Sequence, residues 1–95
     1  MAFDFKGKKV LVAGGSRGIG RSIALGFAAA GASVSICARG QAGLEATRAE
    51  IAAYGVPDHA MPADLANQAA IEAWVAAAAA ALGGVDVLVN NASGF

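Results

Sequence analysis

The sequence predicts an α/β fold in which helices cover a parallel sheet, and three observations lead to that prediction. Short, β-branched apolar runs alternate along the 95 residues with longer segments whose apolar residues recur every three or four positions. The connections are short, and no repeat or linker interrupts the alternation. Each helical crossover must also bury its apolar stripe on the sheet, which favours parallel strands.

The first strand and the first helix flank a cluster of glycines. The run KVLVA, Lys9 to Ala13, is typical of a strand buried on both faces. A helix is predicted from Gly18 to about Ala30, and Gly31 suits its C-terminal end. Three residues, spaced four apart, mark the face expected to be buried: Ile19, Ile23 and Phe27.

The second strand and helix follow directly. SVSICA, Ser33 to Ala38, is the second predicted strand, and the helix after it runs from Gln41 to Tyr54. Gly55 and Pro57 end that helix. Its expected inner face, on which the tyrosine is interpreted as a packing residue, consists of Leu44, Thr47, Ile51 and Tyr54.

The third strand is the weakest and is expected at an edge of the sheet. It covers His59 to Asp64, where Pro62 cannot donate a ladder hydrogen bond. The third helix runs from Asn67 to Leu82 and includes six consecutive alanines, the best helix-forming residue. Its apolar stripe consists of Ile71, Trp74, Val75, Ala78 and Leu82. A fourth strand, VDVLVN, covers Val85 to Asn90.

The glycine cluster GGSRGIG, residues 14–20, keeps side chains away from the start of the first helix. Unpaired N–H groups and partial positive charge at a helix N-terminus suit an anion. By analogy with the dinucleotide fingerprint, Gly14 permits the tight turn, Gly18 the close approach of a ligand and Gly20 helix-to-strand packing. The G-x-x-x-G-x-G spacing is wider than that fingerprint, and the lack of Gly-Lys-Ser/Thr disfavours a mononucleotide phosphate loop. The alternative is that the glycines only turn the chain.

The end of the second strand indicates which dinucleotide is bound. A carboxylate there would bind the ribose hydroxyls of NAD, but Ser33 to Gly40 contains none. Instead, Arg39 follows the strand, and a guanidinium at that point pairs with the 2′-phosphate of NADP. Arg17 in the glycine loop adds a second positive charge. These residues predict NADP(H) in preference to NAD(H); the alternative for Arg39 is a solvated loop residue.

Three motifs in order resemble the amino-terminal half of a short-chain dehydrogenase/reductase: AGGSRGIG, the ADL of residues 63–65 and the NNAS of residues 90–93. The resemblance covers essentially the whole chain and is strongest to bacterial NADP-dependent 3-oxoacyl-carrier-protein reductases. It implies a Rossmann-type three-layer sandwich with parallel strands in the order 3-2-1-4, as the first half of a larger doubly wound domain. The cofactor then lies where the crossover direction reverses, between the first and fourth strands.

The resemblance also implies cofactor-binding roles by position. The loop residues around the phosphates would be Gly14, Ser16, Arg17, Gly18, Ile19 and Gly20. Arg39 would hold the 2′-phosphate, Asp64 the adenine amino group, and Leu65 would line the adenine pocket. The corner under the adenosine ribose would be Asn90, Asn91 and Ala92. Two positions depart from the family pattern, because Ala13 replaces a threonine that ties the first strand to the fourth-strand turn, and Ser93 replaces a glycine.

The implied activity is hydride transfer between nicotinamide and a carbonyl or alcohol substrate. The family uses a Ser, a Tyr-x-x-x-Lys pair and a helix Asn that follow the fourth strand. Here Tyr54 is followed by GVPD, and no lysine occurs after Lys9. We therefore predict no catalytic residue, a dinucleotide-binding half-domain over residues 1–95 and a catalytic half outside the chain. The alternative is a non-catalytic NADP-binding or interaction module.

Composition limits the partners. A net charge of zero without a basic block argues against nucleic acid and against an anionic membrane surface. The longest apolar run, near Ala76 to Leu82, is far below the roughly 20 residues that a membrane span needs. A single cysteine, Cys37, and the lack of a secretory signal predict a cytoplasmic protein without an intramolecular disulfide. We expect no metal site, and the resemblance implies a homodimer or homotetramer assembled beyond residue 95.

Overall fold

The computed structural model describes residues 4–91, and the predicted helices and strands lie within them. In chain order the elements are β1 (Lys9–Ala13), α1 (Gly18–Ala29), β2 (Ser33–Ala38), α2 (Gln41–Ala52), β3 (Asp58–Pro62), α3 (Gln68–Leu82) and β4 (Val87–Asn90). The strands are parallel and lie in the order β3-β2-β1-β4, which confirms the predicted Rossmann-type sandwich and the edge position of β3.

Element boundaries depart from the prediction at a few places. α2 ends at Ala52, and β4 begins at Val87, so both are shorter than predicted. β3 ends at Pro62, and Asp64 consequently lies in the loop after the strand. There, Asp64 Oδ1 accepts a hydrogen bond from Ala66 N–H at 3.0 Å. This local turn, of a kind that aspartate favours, competes with continuation of the strand.

The sheet separates two apolar cores. On one face, buried residues of β1 and β2 pack against α1 and α2, among them Val10, Val12, Val34 and Ile36. On the other face, Trp74 and Leu82 of α3 pack against Leu11 of β1. In register, Val10 lies beside Val34 of β2 and Val87 of β4. Burial of β1 on both faces agrees with its uninterrupted apolar sequence.

The face that α1 presents to the sheet matches the predicted face only in part. Its buried residues are all small: Gly20, Ala24 and Ala28. Ile19 is 71% exposed, and Ile23 and Phe27 are only half-buried at the margin of the core. The predicted face is therefore confirmed at Ile23 and Phe27 and wrong at Ile19, because small residues, which allow a helix to approach a sheet closely, occupy the centre of the contact.

The inner face of α2 is confirmed for Leu44, Thr47 and Ile51, which are buried. Tyr54 does not belong to that face, because the helix ends before it and the residue is 53% exposed. Its interpretation as a packing residue was therefore wrong.

β4 forms one edge of the sheet and pairs with β1. Val87 and Val89 pack against the core shared with α1 and α2, whereas Leu88 on the other face is 55% exposed. Within the described residues, α3 covers β1, β2 and β3 and does not contact β4. Among the described residues, the α3 face of this strand is therefore uncovered.

Candidate dinucleotide-binding site

The glycine loop is anchored to the end of β2. Gly14 has a left-handed backbone, with φ of 81°, and turns the chain out of β1. The N–H groups of Gly14 and Gly15 both donate to the Cys37 carbonyl, at 2.9 and 3.3 Å. A Cβ on Gly15 would lie 2.5 Å from Ile36 Cγ2 and 2.9 Å from Ile36 Cβ, so the loop requires glycine there. Gly15 was not among the predicted site residues, although the Gly-Gly doublet was a signal that could have identified it.

Gly20 brings the start of α1 against the loop. A Cβ at this position would overlap the carbonyl of Gly14 and would lie 2.8 Å from Asn91 Nδ2. Both atoms lie at the carboxyl end of the sheet, because Gly14 is the first residue after β1 and Asn91 is the first residue after β4. The absence of a side chain at Gly20 therefore allows loop, helix and β4 corner to meet, as the expected packing role requires.

The first turn of α1 receives no side-chain cap from its N-cap residue. Arg17 occupies the N-cap position with an extended backbone, and its side chain makes no capping hydrogen bond. No acidic residue lies in the first turn, and a Cβ on Gly18, where φ is 60°, would meet open space. The leading N–H groups of a helix have no intrahelical partner and carry partial positive charge. Among residues 4–91, the Arg17 guanidinium also has no hydrogen-bond or ion-pair partner.

The second predicted cation lies at the end of β2. The Arg39 side chain is 79% exposed, and its Nε is 4.0 Å from Asp64 Oδ1, a distant and solvated ion pair. α2 begins just after it, with Gly40 as its N-cap residue, again without a side-chain cap or an acidic residue in the first turn. Leu65 is half-buried against the α3-face core, beside this region. The carboxyl ends of parallel strands meet at one edge of the sheet, so Arg39 and the glycine loop share that edge.

A contact that sequence reasoning missed joins the glycine loop to α2. Thr47 Oγ1 donates to the Ser16 carbonyl at 3.2 Å, and Thr47 is only 1% exposed. The sequence pattern predicts Thr47 on the inner face of the helix and indicates no further role for it. No sequence signal could have identified the bond, because its partners lie 31 residues apart on elements that only the fold brings together.

The turn after β4 completes the edge. Asn91 N–H donates to the Ala13 carbonyl at 3.0 Å, so a backbone bond links β1 to this turn. Asn91 is half-buried, and Asn90 is exposed at the end of the strand. Ala92 and Ser93, which the sequence analysis also singled out, lie outside the described residues.

The buried thiol beneath the loop is chemically quiet. Cys37 is fully buried on the α3 side of β2, and this burial raises the pKa of its thiol to about 11, although the Gly14 N–H acts in the opposite direction. The thiol is therefore neutral near pH 7 and is not an activated nucleophile. Across residues 4–91, no cluster of three or more His, Cys, Asp or Glu residues could hold a metal ion. In the same part of the chain, no helix is long and apolar enough to cross a membrane.

Known proteins resemble this chain in sequence along nearly its whole length. A family model described as short chain dehydrogenase matches residues 8–94. The rhamnolipids biosynthesis 3-oxoacyl-[acyl-carrier-protein] reductase of Pseudomonas aeruginosa is 43% identical over 90 residues, covering 95% of this chain and 35% of that protein. The L-rhamnose 1-dehydrogenase (NAD(P)(+)) of Azotobacter vinelandii is 48% identical over 89 residues, covering 90% of this chain and 35% of that protein.

Solved structures resemble the chain as well. A short chain dehydrogenase from Burkholderia cenocepacia, crystallised in complex with NADP, is 45% identical and superposes with a TM-score of 0.90. That superposition covers 95% of this chain and 37% of the other. The chain thus spans 35% of the length of the two curated relatives above.

Proposed function

The chain belongs to the short-chain dehydrogenase family, and from that premise we propose that it forms the NADP(H)-binding part of an oxidoreductase. When bound, the nicotinamide donates or accepts the hydride that interconverts a carbonyl and an alcohol. What the described residues contribute is the binding and orientation of the dinucleotide.

The observation that carries this proposal is the start of α1. Its leading N–H groups are uncapped, no carboxylate lies in the first turn, and Arg17 places a cation at the end of the helix where a cation is least favourable. Each feature lowers the stability of the free chain, and a bound anion reverses all of them. The dinucleotide fits, since its pyrophosphate needs bare N–H groups and its 2′-phosphate needs guanidinium groups.

The proposed roles follow the edge of the sheet. The residues at the pyrophosphate are Gly14, Ser16, Gly18, Ile19 and Gly20. Arg17 and Arg39 bind the 2′-phosphate, and Asp64 accepts a hydrogen bond from the adenine amino group beside Leu65. The ribose lies over the turn formed by Asn90, Asn91 and Ala92.

We also propose that residues 1–95 act as a dinucleotide-binding half-domain. The chain spans 35% of its curated relatives, and its one tyrosine, Tyr54, lies outside any Tyr-x-x-x-Lys sequence. Those two relatives are named for different substrates, one bound to a carrier protein and one a sugar. The proposed substrate is therefore defined only as a carbonyl or alcohol, and the proposed assembly is a homodimer or homotetramer formed outside the described residues.

Replacement of Arg39 by aspartate tests the proposal. We expect the unmodified protein to bind NADPH more tightly than NADH in a fluorescence titration. Arg39→Asp should weaken NADPH binding about 30-fold or more, the scale of a lost charge-assisted pair. NADH binding should change much less, because NADH lacks the 2′-phosphate.

The matched control is Lys8→Asp, which makes the same change in charge at the exposed residue before β1, at the opposite edge of the sheet. It should leave both affinities near those of the unmodified protein. Failure of the unmodified protein to bind either dinucleotide would overturn the proposed function, whereas equal losses in the two variants would overturn the assignment of Arg39.

A further inference from the structure

A buried hydroxyl connects α2 to the glycine loop. Thr47 lies within the helix, is 1% exposed, and donates from Oγ1 to the Ser16 carbonyl at 3.2 Å. A helical threonine commonly donates to a carbonyl in the preceding turn of its own helix. Here the hydroxyl instead satisfies a carbonyl of the loop, which has no other partner among residues 4–91.

The same face of α2 comes near the loop at a second position, Gly43. Gly43 lies one turn before Thr47, and a Cβ built on it would stand 3.7 Å from Ser16 Cβ, an ordinary van der Waals contact. A side chain at position 43 would therefore contact Ser16, whereas glycine leaves that space open. The Thr47 hydrogen bond links the loop directly to α2.

The direction of the Ser16 carbonyl determines the direction of the Arg17 N–H in the same peptide group. In a trans peptide the carbonyl and the following N–H point in opposite directions, so fixing the Ser16 carbonyl fixes the Arg17 N–H. Arg17 is the N-cap residue from which α1 starts. Arg39, the other cation at this edge, immediately precedes the N-cap of α2. The two cations thus belong to two elements that the Thr47 bond holds together.

We infer that Thr47 is a positioning residue, which holds Arg17 and Arg39 at the spacing needed to bind one phosphate group and thereby selects NADP(H) over NAD(H). The inference rests on the proposed function and extends it to a buried residue that touches no ligand. The pyrophosphate depends on the first turn of α1, whereas the 2′-phosphate depends on both elements. Loss of the bond should therefore affect the two dinucleotides unequally.

The test compares three variants in titrations with NADPH and NADH. Thr47→Val keeps the shape of the side chain and removes the donor; it should lower NADPH affinity about tenfold, the effect of one hydrogen bond, and NADH affinity no more than about twofold. Thr47→Ser keeps the hydroxyl and should restore the preference. Ile51→Val, one turn further along the buried face of α2, controls for loosened packing and should leave the ratio of the affinities unchanged.

Several outcomes would overturn the inference. Equal loss of both affinities in Thr47→Val would make the residue merely structural, and an unchanged ratio, or Thr47→Ser behaving like Thr47→Val, would remove its role in selectivity. If the valine variant does not fold, Thr47→Ala repeats the comparison with a stronger helix former, and the same ratio decides. Absence of dinucleotide binding in the unmodified protein would overturn the proposed function together with the inference, whereas normal binding with an unmoved ratio would overturn the inference alone.

Discussion

The N-terminal ends of α1 and α3 are built in opposite ways. α3 starts at Asn67, whose side-chain Oδ1 accepts from Ala70 N–H at 3.1 Å, and the Asn67 N–H donates to the Asp64 carbonyl at 2.9 Å. α1 starts at Arg17, whose side chain caps nothing and carries a positive charge. The N-cap side chain of α3 caps its helix, whereas the N-cap side chain of α1 does not.

The two helix starts differ in their contribution to stability, and the less favourable one lies where the pyrophosphate is proposed to bind. A missing side-chain cap costs a helix about 1 kcal/mol, and a cation at the N-terminus is unfavourable by about 0.3–1 kcal/mol when exposed. α3 lies on the far face of the sheet and avoids the first of these costs, whereas α1 incurs both at the edge where Arg39 also lies. A local rule of stability is therefore broken at the start of α1, where the pyrophosphate is proposed to bind, and obeyed at the start of α3.

The largest effect is expected from adding a methyl group at the start of α1. Gly20→Ala places a Cβ onto the Gly14 carbonyl, so loop or helix must shift. We expect a loss of about 3 kcal/mol in the free energy of unfolding, the upper range for an overpacked site, together with loss of dinucleotide binding. Urea titration followed by circular dichroism measures the first effect, and NADPH titration measures the second.

Gly26→Ala is the matched control in the same helix. A Cβ there meets nothing within 4 Å, and an alanine in a helix interior should stabilise by about 1 kcal/mol. The two substitutions are chemically identical, so opposite signs would show that the contact with Gly14, not the change in helix propensity, decides the result. Equal effects of the two alanines would remove the argument from close approach.

The next largest effect is expected when a side-chain cap is added to α1 and, in a second variant, removed from α3. Arg17→Asp supplies α1 with a cap and a favourable charge, and should raise the free energy of unfolding by about 1 kcal/mol. The same change should weaken NADPH binding by about 2 kcal/mol, because the proposed phosphate site would then contain a carboxylate in place of a cation. Thermal unfolding with and without NADPH separates the two effects.

Asn67→Ala makes the converse change at α3. It should lower stability by about 1 kcal/mol and leave dinucleotide affinity unaltered. If Arg17→Asp stabilises the chain without weakening NADPH binding, the open end of α1 has no part in binding anions.

Local features of the fold could be predicted from the sequence, whereas contacts between distant elements could not. The strands and helices follow from local pattern, and Asn67 could be predicted near the start of α3 because capping is a local event. Close packing is not local: the contact of Gly15 with Ile36 and the bond from Thr47 to Ser16 depend on which elements become neighbours. The strand order and the assigned site residues came from motif resemblance, and the roles of those residues remain predictions.

The smallest expected effect concerns the α3 face and appears only in alkali. Cys37 lies in the core of that face, where burial raises the pKa of its thiol from 9.0 to about 11. Between these values the unfolded chain loses its thiol proton first, so the contribution of the neutral thiol is fully present below pH 9 and is lost as pH rises towards 11. The loss should reach about 1 kcal/mol by pH 10.

Cys37→Ala should remove this part of the decline in the free energy of unfolding between pH 8 and pH 10, measured by urea titration at each pH. NADPH affinity at pH 7 should stay near that of the unmodified protein. An identical decline in the alanine variant would place the alkaline sensitivity elsewhere, and a large drop in affinity would mean that the two faces of the sheet are not independent.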